Sequence, residues 1–206
     1  MAAWRRRYAR GVPDHYFTST PASAAERRIV RVSLAGHDLE LETAAGVFSP
    51  GHVDLGTQVL LRTVPDPHGH VLDLGCGWGP LALEAALRGA ERVTAVDVNE
   101  RALDLLRRNV ARVAARHPLA PVDALSPESV DPDLAFDAIW SNPPIRIGKA
   151  ALHALLETWL PRLAPDGEAY LVVQRNLGAD SLARWIAEQG WGDVDRVASA
   201  KGFRVL

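Results

Sequence analysis

The segment with the clearest chemical potential is S-N-P-P-I-R-I-G-K, residues 141–149. Pro143 has no N–H group, and each proline disfavours helical backbone in the residue before it, so we expect Asn142 and Pro143 to be extended. The amide oxygen of Asn142 and the carbonyl oxygen of Pro143 then lie side by side. Two acceptors that face one point suit an exocyclic amine, which offers two N–H donors, and direct its lone pair toward an incoming methyl group. The alternative is that Asn142-Pro143-Pro144 is only a rigid strand exit.

A second candidate site is V-L-D-L-G-C-G-W-G, residues 71–79, which is typical of a buried strand, a glycine turn and a helix that begins at Pro80. Glycine allows the tight turn and a close ligand approach, and the helix presents unpaired N–H groups. The third glycine comes one residue earlier than in the dinucleotide fingerprint, and the carboxylate of Asp73 would repel a pyrophosphate. An acid attracts a ligand with an ammonium and a sulfonium, so the segment favours S-adenosylmethionine as the cofactor.

Two further acids follow the next predicted strands. Asp97 ends the segment E-R-V-T-A-V-D-V-N, close to the offset of roughly 20 residues at which an acidic side chain binds ribose hydroxyls. Asp123 and Ala124 end the third strand, where a carboxylate can accept a hydrogen bond from an adenine amino group. Each acid has a structural alternative, a helix N-cap for Asp97 and a turn for Asp123.

Alternating β and α patterns supply the elements that must position these residues. They predict strands at 70–74, 92–97, 121–124, 136–141 and 168–174, and helices at 80–88, 100–116, 148–163 and 179–189. A hairpin at 28–34 and 39–43 and a helix at 55–64 precede them, and two closing strands at 193–198 and 202–206 follow. The expected fold is α/β, a doubly wound and mostly parallel sheet, with an N-terminal arm and hairpin (1–50) before the main domain (51–206). Ligands bind such sheets at the carboxyl ends of the strands.

Composition argues against several other classes of protein, namely disulfide-bonded, cysteine-based zinc-binding and membrane-spanning proteins. The chain has 206 residues, a formal net charge of −2 and one cysteine, Cys76, so no internal disulfide or cysteine-based zinc site is expected. No apolar stretch suits a membrane span, no metal-ligand spacing occurs, and we expect a cytoplasmic protein. Cys76 lies in the glycine turn, where packing is a simpler role than nucleophilic catalysis. Four arginines in residues 1–12 suggest either an arm that grips RNA phosphate or, in the interpretation we favour, a solvated terminus.

Together these motifs resemble class I S-adenosylmethionine-dependent methyltransferases, and in particular the small-subunit ribosomal RNA guanine-N2 methyltransferase family. The resemblance extends to H-Y-F near the start, G-V-F-S-P-G-H-V-D-L-G-T at 46–57 and the ending K-G-F-R-V-L. It implies a seven-stranded, Rossmann-like sheet whose last strand is antiparallel. The cofactor site that it implies comprises Phe48, Asp54, Thr57, Asp73, Gly75, Cys76, Gly77, Gly79, Asp97, Val98, Asp123, Ala124 and Asn142.

The predicted catalytic set is Asn142, Pro143 and Pro144, and the resemblance implies that Asn142 and Pro143 hold the target amine. Ile145, Arg146 and Lys149 follow it as candidate substrate contacts, the two cations for RNA phosphate. Many Asn-Pro-Pro enzymes have an aromatic residue at the position of Ile145 that stacks on the target base. The isoleucine and the acidic net charge therefore keep two alternatives open, N-methylation of protein glutamine or of a small molecule, and a third is a binding module without catalysis.

Overall fold

The N-terminal part of the fold is a hairpin that packs beside the main sheet. The computed structural model describes residues 26–206, so the arginine-rich segment and H-Y-F lie outside the described residues. Strands β1 (Arg27–Leu34) and β2 (His37–Ala44) pair antiparallel, close to the predicted hairpin. Helix α1 follows (Leu55–Leu61) and ends three residues earlier than predicted.

The main sheet has seven strands, which confirms the predicted architecture. Its elements are β3 (His70–Leu74), α2 (Pro80–Arg88), β4 (Arg92–Val96), α3 (Glu100–Ala114), β5 (Val122–Leu125), β6 (Phe136–Ser141), α4 (Lys149–Trp159), β7 (Leu163–Gln174), α5 (Ala179–Gln189), β8 (Ala198–Ala200) and β9 (Phe203–Val205). The strand order is β5-β4-β3-β6-β7-β9-β8. Strands β3 to β7 pair in parallel, whereas β9 pairs antiparallel with both β7 and β8.

The predicted helix 148–163 and the closing strands differ from expectation, and β7 begins five residues before the predicted strand 168–174. Helix α4 stops at Trp159 and gives way to a single 3-10 turn, Leu160–Arg162. The reason is Pro161, which has no N–H group to donate and whose ring clashes with the preceding helical turn. Strands β8 and β9 are shorter than predicted and are joined by Lys201 and Gly202, whose φ angles of 50° and 83° are those of a two-residue hairpin turn.

Alternate residues of the central strands face two separate cores, as expected for a doubly wound sheet. Val71 and Trp140 face a core shared with α1, α2, α3 and the hairpin. Leu72 and Ile139 face the opposite core, which α4 and α5 cover. Asn109 of α3 ties the hairpin down, because its side chain accepts from the backbone N–H of Glu42 at 2.6 Å and donates back to the Glu42 carbonyl at 2.9 Å. The domain boundary near residue 50 stays a prediction.

Candidate active site

A cavity of about 680 Å³ lies at the carboxyl ends of β3, β4, β6 and β7. Its volume is within the range of small-molecule sites in proteins. The predicted site residues that line it are Phe48, Asp54, Gly75, Gly77, Asp97, Val98, Asn142, Pro143, Pro144, Ile145 and Arg146. A small adjoining cavity adds Thr57 and Cys76. The structure therefore brings the glycine turn and the Asn-Pro-Pro segment to one cleft.

The first two glycines of the turn open toward ligand space. Gly75 and Gly77 have φ angles of 82° and 55°, which L side chains rarely adopt, and no atom lies within 4 Å of where a Cβ would stand on either residue. Gly75 and Cys76 donate their N–H groups to the carbonyl of Val96, which fastens the turn to the end of β4. The turn thus offers exposed backbone against which a cofactor can lie closely.

The third glycine has a different purpose. A Cβ on Gly79, at φ 102°, would overlap Cδ1 of Leu106 on α3. Gly79 therefore lets α2 pack against α3, and it does not line either cavity. Cys76 is buried, and burial raises the pKa of its thiol, which suits the predicted packing role.

Asp73 lies deeper in the protein than we expected for a side chain in direct contact with a cationic ligand. It is 1% exposed and lies beneath the turn without lining the cavity. Its Oδ2 accepts from the backbone N–H of Ala82 at 2.9 Å, so it caps the first turn of α2 from a neighbouring strand. The physical reason is strand alternation, which turns residue 73 toward α2.

The other oxygen of Asp73 supports a cofactor that carries a cation. Oδ1 is buried and has no hydrogen-bond partner among residues 26–206. Burial raises the pKa of Asp73 to about 8, and the nearby charge of Asp97 adds to the rise. An unsatisfied carboxyl oxygen behind the glycine turn fits an ammonium group, direct or through water, and such a charge would restore the ionised form.

Asp97 links the turn to the end of β4. Its Oδ2 accepts from the N–H of Gly77 and its Oδ1 from the N–H of Asn99, both at 2.9 Å. Burial raises the pKa of Asp97 to about 6, although these two hydrogen bonds oppose the rise. The backbone N–H of Val98 also bonds to this carboxylate, which still leaves capacity for one ligand hydroxyl, so the arrangement is compatible with ribose binding. The N-cap of α3 is Asn99 and not Asp97.

Asn142 is held by both of its amide N–H groups. Nδ2 donates to Oδ2 of Asp54 and to Oγ1 of Thr57, each at 3.0 Å. A carboxylate can only accept, so these contacts assign the nitrogen and the oxygen of the amide. Asn142 lines the cavity, and its carbonyl oxygen is left free as an acceptor. Sequence reasoning expected Asp54 and Thr57 near the cofactor, and it missed that they orient Asn142.

The Pro143 carbonyl is less free than predicted. It accepts a hydrogen bond from the N–H of Ile145 at 2.8 Å. Pro144 between them has φ −74° and ψ 74°, the geometry of an inverse γ-turn. One lone pair of the carbonyl remains, so Pro143 can still serve as the second acceptor for an amine.

Besides Asp73 and Gly79, three further predicted residues do not line the cavity. Asp123 forms an ion pair with Arg92, its Oδ2 lying 2.6 Å from Nη2, and Ala124 offers its carbonyl to Arg107. These contacts do not support the expected adenine contact, which stays a prediction: β5 ends at Leu125, and Ser126, Pro127 and Glu128 border the cavity there. Lys149 is exposed at the start of α4.

Several lining residues had no individual signal in the sequence. Trp159, Gln174, Leu177 and Phe203 all border the cavity from the α4 and β7 side. Only Phe203 falls within a motif of the resemblance, K-G-F-R-V-L, and that motif predicts no role for it. The described residues include no group of three or more side chains suited to a metal ion, and no helix among them is long and apolar enough to cross a membrane.

The model of the methyltransferase small domain family matches residues 38–206. The chain belongs to this family. The match spans both the glycine turn and the Asn-Pro-Pro segment. Membership confirms the predicted S-adenosylmethionine-dependent methyltransferase, and the open glycine turn and the unsatisfied Asp73 oxygen are consistent with that cofactor.

Relatives place the chain near one branch of the family. The Bacillus subtilis protein YbxB, named as uncharacterized, is 32% identical over 197 residues, which cover 94% of this chain and 96% of YbxB. The ribosomal RNA small subunit methyltransferase C of Chromohalobacter salexigens is 34% identical over 91% of this chain and 56% of its own length.

A solved structure agrees with these relatives. The T. thermophilus 16S rRNA N2 methyltransferase RsmC, in complex with AdoMet and guanosine, is 28% identical with a TM-score of 0.73. The likeness covers 90% of this chain and 50% of that one. This chain therefore spans about half the length of the RsmC proteins that it matches.

Proposed function

We propose that this protein transfers a methyl group from S-adenosylmethionine to an exocyclic amine, namely guanine N2 of small-subunit ribosomal RNA. The observation that carries the proposal is the fixed amide of Asn142. Its nitrogen is committed to Asp54 and Thr57, so the oxygen of this cavity-lining residue is the atom left to accept a hydrogen bond. An acceptor held in this way suits a ligand that donates, as an amine does.

The chain's own residues supply positioning and acceptors. Asn142 Oδ1 and the remaining lone pair of the Pro143 carbonyl accept the two amine hydrogens, which turns the nitrogen lone pair away from them. Gly75, Gly77 and Asp97 hold the cofactor, which when bound supplies an electrophilic methyl group. No strong base is required, because the methylated amine becomes acidic and loses its proton afterwards. Orientation of this kind can contribute about 7–11 kcal/mol to a reaction between two bound groups.

Guanine N2 is favoured by the relatives and by the cleft. Proteins named ribosomal RNA small subunit methyltransferase C match most of this chain, and the T. thermophilus structure contains guanosine. Ile145, Leu177 and Phe203 line the same cavity as Asn142, so apolar surface is present for a base.

Local positive charge supports RNA as the carrier of that base. Arg146 borders the cavity, and Lys149 begins the next helix, both with exposed side chains. Neither residue forms an ion pair with another residue in 26–206. Because the overall charge is −2, attraction to phosphate must come from such a local group.

Mass spectrometry of nucleosides from 16S ribosomal RNA tests the proposal. A strain without this gene should lack one N2-methylguanosine, the wild-type gene should restore it, and the Asn142→Ala gene should not. Purified protein with tritiated cofactor should label the RNA of that strain. Unchanged N2-methylguanosine in the deletion strain would remove the ribosomal assignment, and label in protein fractions alone would favour glutamine N-methylation.

A further inference from the structure

We propose that Phe203 is the aromatic surface on which the target base stacks, in place of the aromatic residue that Ile145 lacks. This inference rests on the proposed function, because it requires a planar base as the substrate. It assigns to the C-terminal hairpin a part in substrate specificity.

The first support is the closeness of Phe203 to the support of Asn142. A Cβ placed on Gly56 would lie 2.9 Å from Cε1 of Phe203, so the ring lies directly against the backbone of α1. The N–H of Gly56 donates to Asp54 Oδ2 at 2.8 Å, and the same oxygen accepts from Asn142. One carboxylate oxygen therefore connects the acceptor amide with the backbone that carries the ring.

The second support is how the hairpin positions the ring. Phe203 pairs with Gln174 at the carboxyl end of β7, where the cavity opens. The turn before it is fixed by a hydrogen bond from the N–H of Arg175 to the carbonyl of Gly202, at 2.8 Å. Val205, two residues on, faces the same side of the strand and is fully buried, whereas Phe203 is only partly buried and borders the cavity.

The third support is the set of aromatic residues in the cavity. Phe48, Trp159 and Phe203 all line it. Trp159 is 2% exposed, so it has little free surface for a ligand. Phe48 also borders the small cavity beside Gly75 and Cys76, which places it on the glycine-turn side. Phe203 remains as the ring that combines free surface with a position on the β7 side of Asn142.

Stacking gives a measurable expectation. Alanine replacement of an aromatic that stacks on a base costs affinity on the order of 5- to 150-fold. We therefore expect Phe203→Leu, which keeps an apolar side chain but has no ring, to lower kcat/KM for RNA by at least about 10-fold, mainly through KM. Phe203→Tyr keeps the ring and should stay within about threefold of wild type.

The assay is methyl transfer from tritiated cofactor to 16S ribosomal RNA isolated from the deletion strain. Calorimetry with S-adenosylhomocysteine runs in parallel and should give wild-type affinity for both variants. Trp191→Leu is the matched control, because Trp191 packs edge-on against Trp185 and does not line the cavity. Phe203→Met provides a second side chain without a ring if the leucine variant unfolds at a lower temperature.

Wild-type kcat/KM in either folded variant without a ring would overturn the stacking role. A loss of cofactor affinity as large as the loss of kcat/KM would also overturn the stacking role, because the ring would then contribute to binding of the cofactor and not of the base. Failure of the wild-type protein to methylate RNA at all is a different result, and it would refute the proposed function itself.

Discussion

Replacing Thr57 by valine tests whether the orientation of the Asn142 amide limits catalysis. Valine has nearly the shape of threonine, so Thr57→Val removes the hydroxyl with little change in the volume of this buried side chain. One of the two N–H groups of Asn142 then loses its 3.0 Å partner, while the bond to Asp54 remains. The amide is no longer held at both hydrogens, and its oxygen can turn away from the cavity.

The size of the effect follows from the bonds lost. Leaving one buried N–H without a partner costs about 1–3 kcal/mol. If the cost is carried into the transition state, each 1.36 kcal/mol lowers the rate about tenfold, so we expect kcat to fall by about 5- to 150-fold. Affinity for S-adenosylhomocysteine should change little, because the cofactor does not depend on this amide hydrogen.

Single-turnover methyl transfer to RNA measures the change directly. Thr57→Ser restores a hydroxyl and should recover most of the rate. A rate within twofold of wild type for Thr57→Val, or no recovery of the rate in a folded Thr57→Ser variant, would refute the orientation argument.

Three further predictions concern the acids and the acceptor. Asn142→Ala should abolish turnover while calorimetry shows intact cofactor binding, and loss of that binding would contradict the role of the side chain. Asp97→Ala should weaken cofactor affinity. Burial raises the pKa of Asp97 to about 6, so the affinity of the wild type for the cofactor should fall about tenfold per pH unit below pH 6, and that of the variant should not. The pKa of Asp73 is raised from 3.8 to about 8, so the folded protein binds this proton more tightly than the unfolded chain does. The resulting contribution to the free energy of unfolding is complete below pH 4 and is lost as pH rises to 8. Asp73→Asn keeps an acceptor for Ala82 but removes the buried charge, so it should raise the free energy of unfolding at pH 8 and not at pH 4. If the variant and the wild type have the same unfolding midpoint in denaturant at both pH values, the raised pKa of Asp73 is contradicted.

Elements with strong local signals were predictable to the residue. Helix α2 begins at Pro80, as the sequence indicated, and ends before Gly89, whose φ of 122° suits a helix terminus made by glycine. Strand β6 also has its predicted bounds, because Pro143 and Pro144 end the ladder. The crevice could be anticipated as well, since a parallel sheet gathers the carboxyl ends of its strands at one edge.

Contacts between distant segments could not be read from the sequence. Asp123 has the right type and spacing for a ligand contact, but it pairs with Arg92 on the neighbouring strand, and the end of β5 lies further along. No local pattern predicts that Phe203 lies against Gly56, because this contact depends on the antiparallel pairing of β9 with β7. Asp73 is an intermediate case: strand alternation indicates that it faces a helix, whereas the unsatisfied oxygen emerges only from the packing.

In the segment D-L-G-T at the start of α1, Asp54, Gly56 and Thr57 each make a different contact that requires its residue type. Oδ2 of Asp54 accepts from the N–H groups of Gly56 and Thr57 and from Asn142, so one acid both caps the helix and fixes the amide. Gly56 must lack a side chain because Phe203 occupies the space that a Cβ would need. Thr57 supplies the second acceptor and borders the glycine turn in the small cavity. Two turns of helix thus tie the acceptor, the aromatic surface and the cofactor turn into one rigid unit. This arrangement is in line with the demand of methyl transfer for groups held in register.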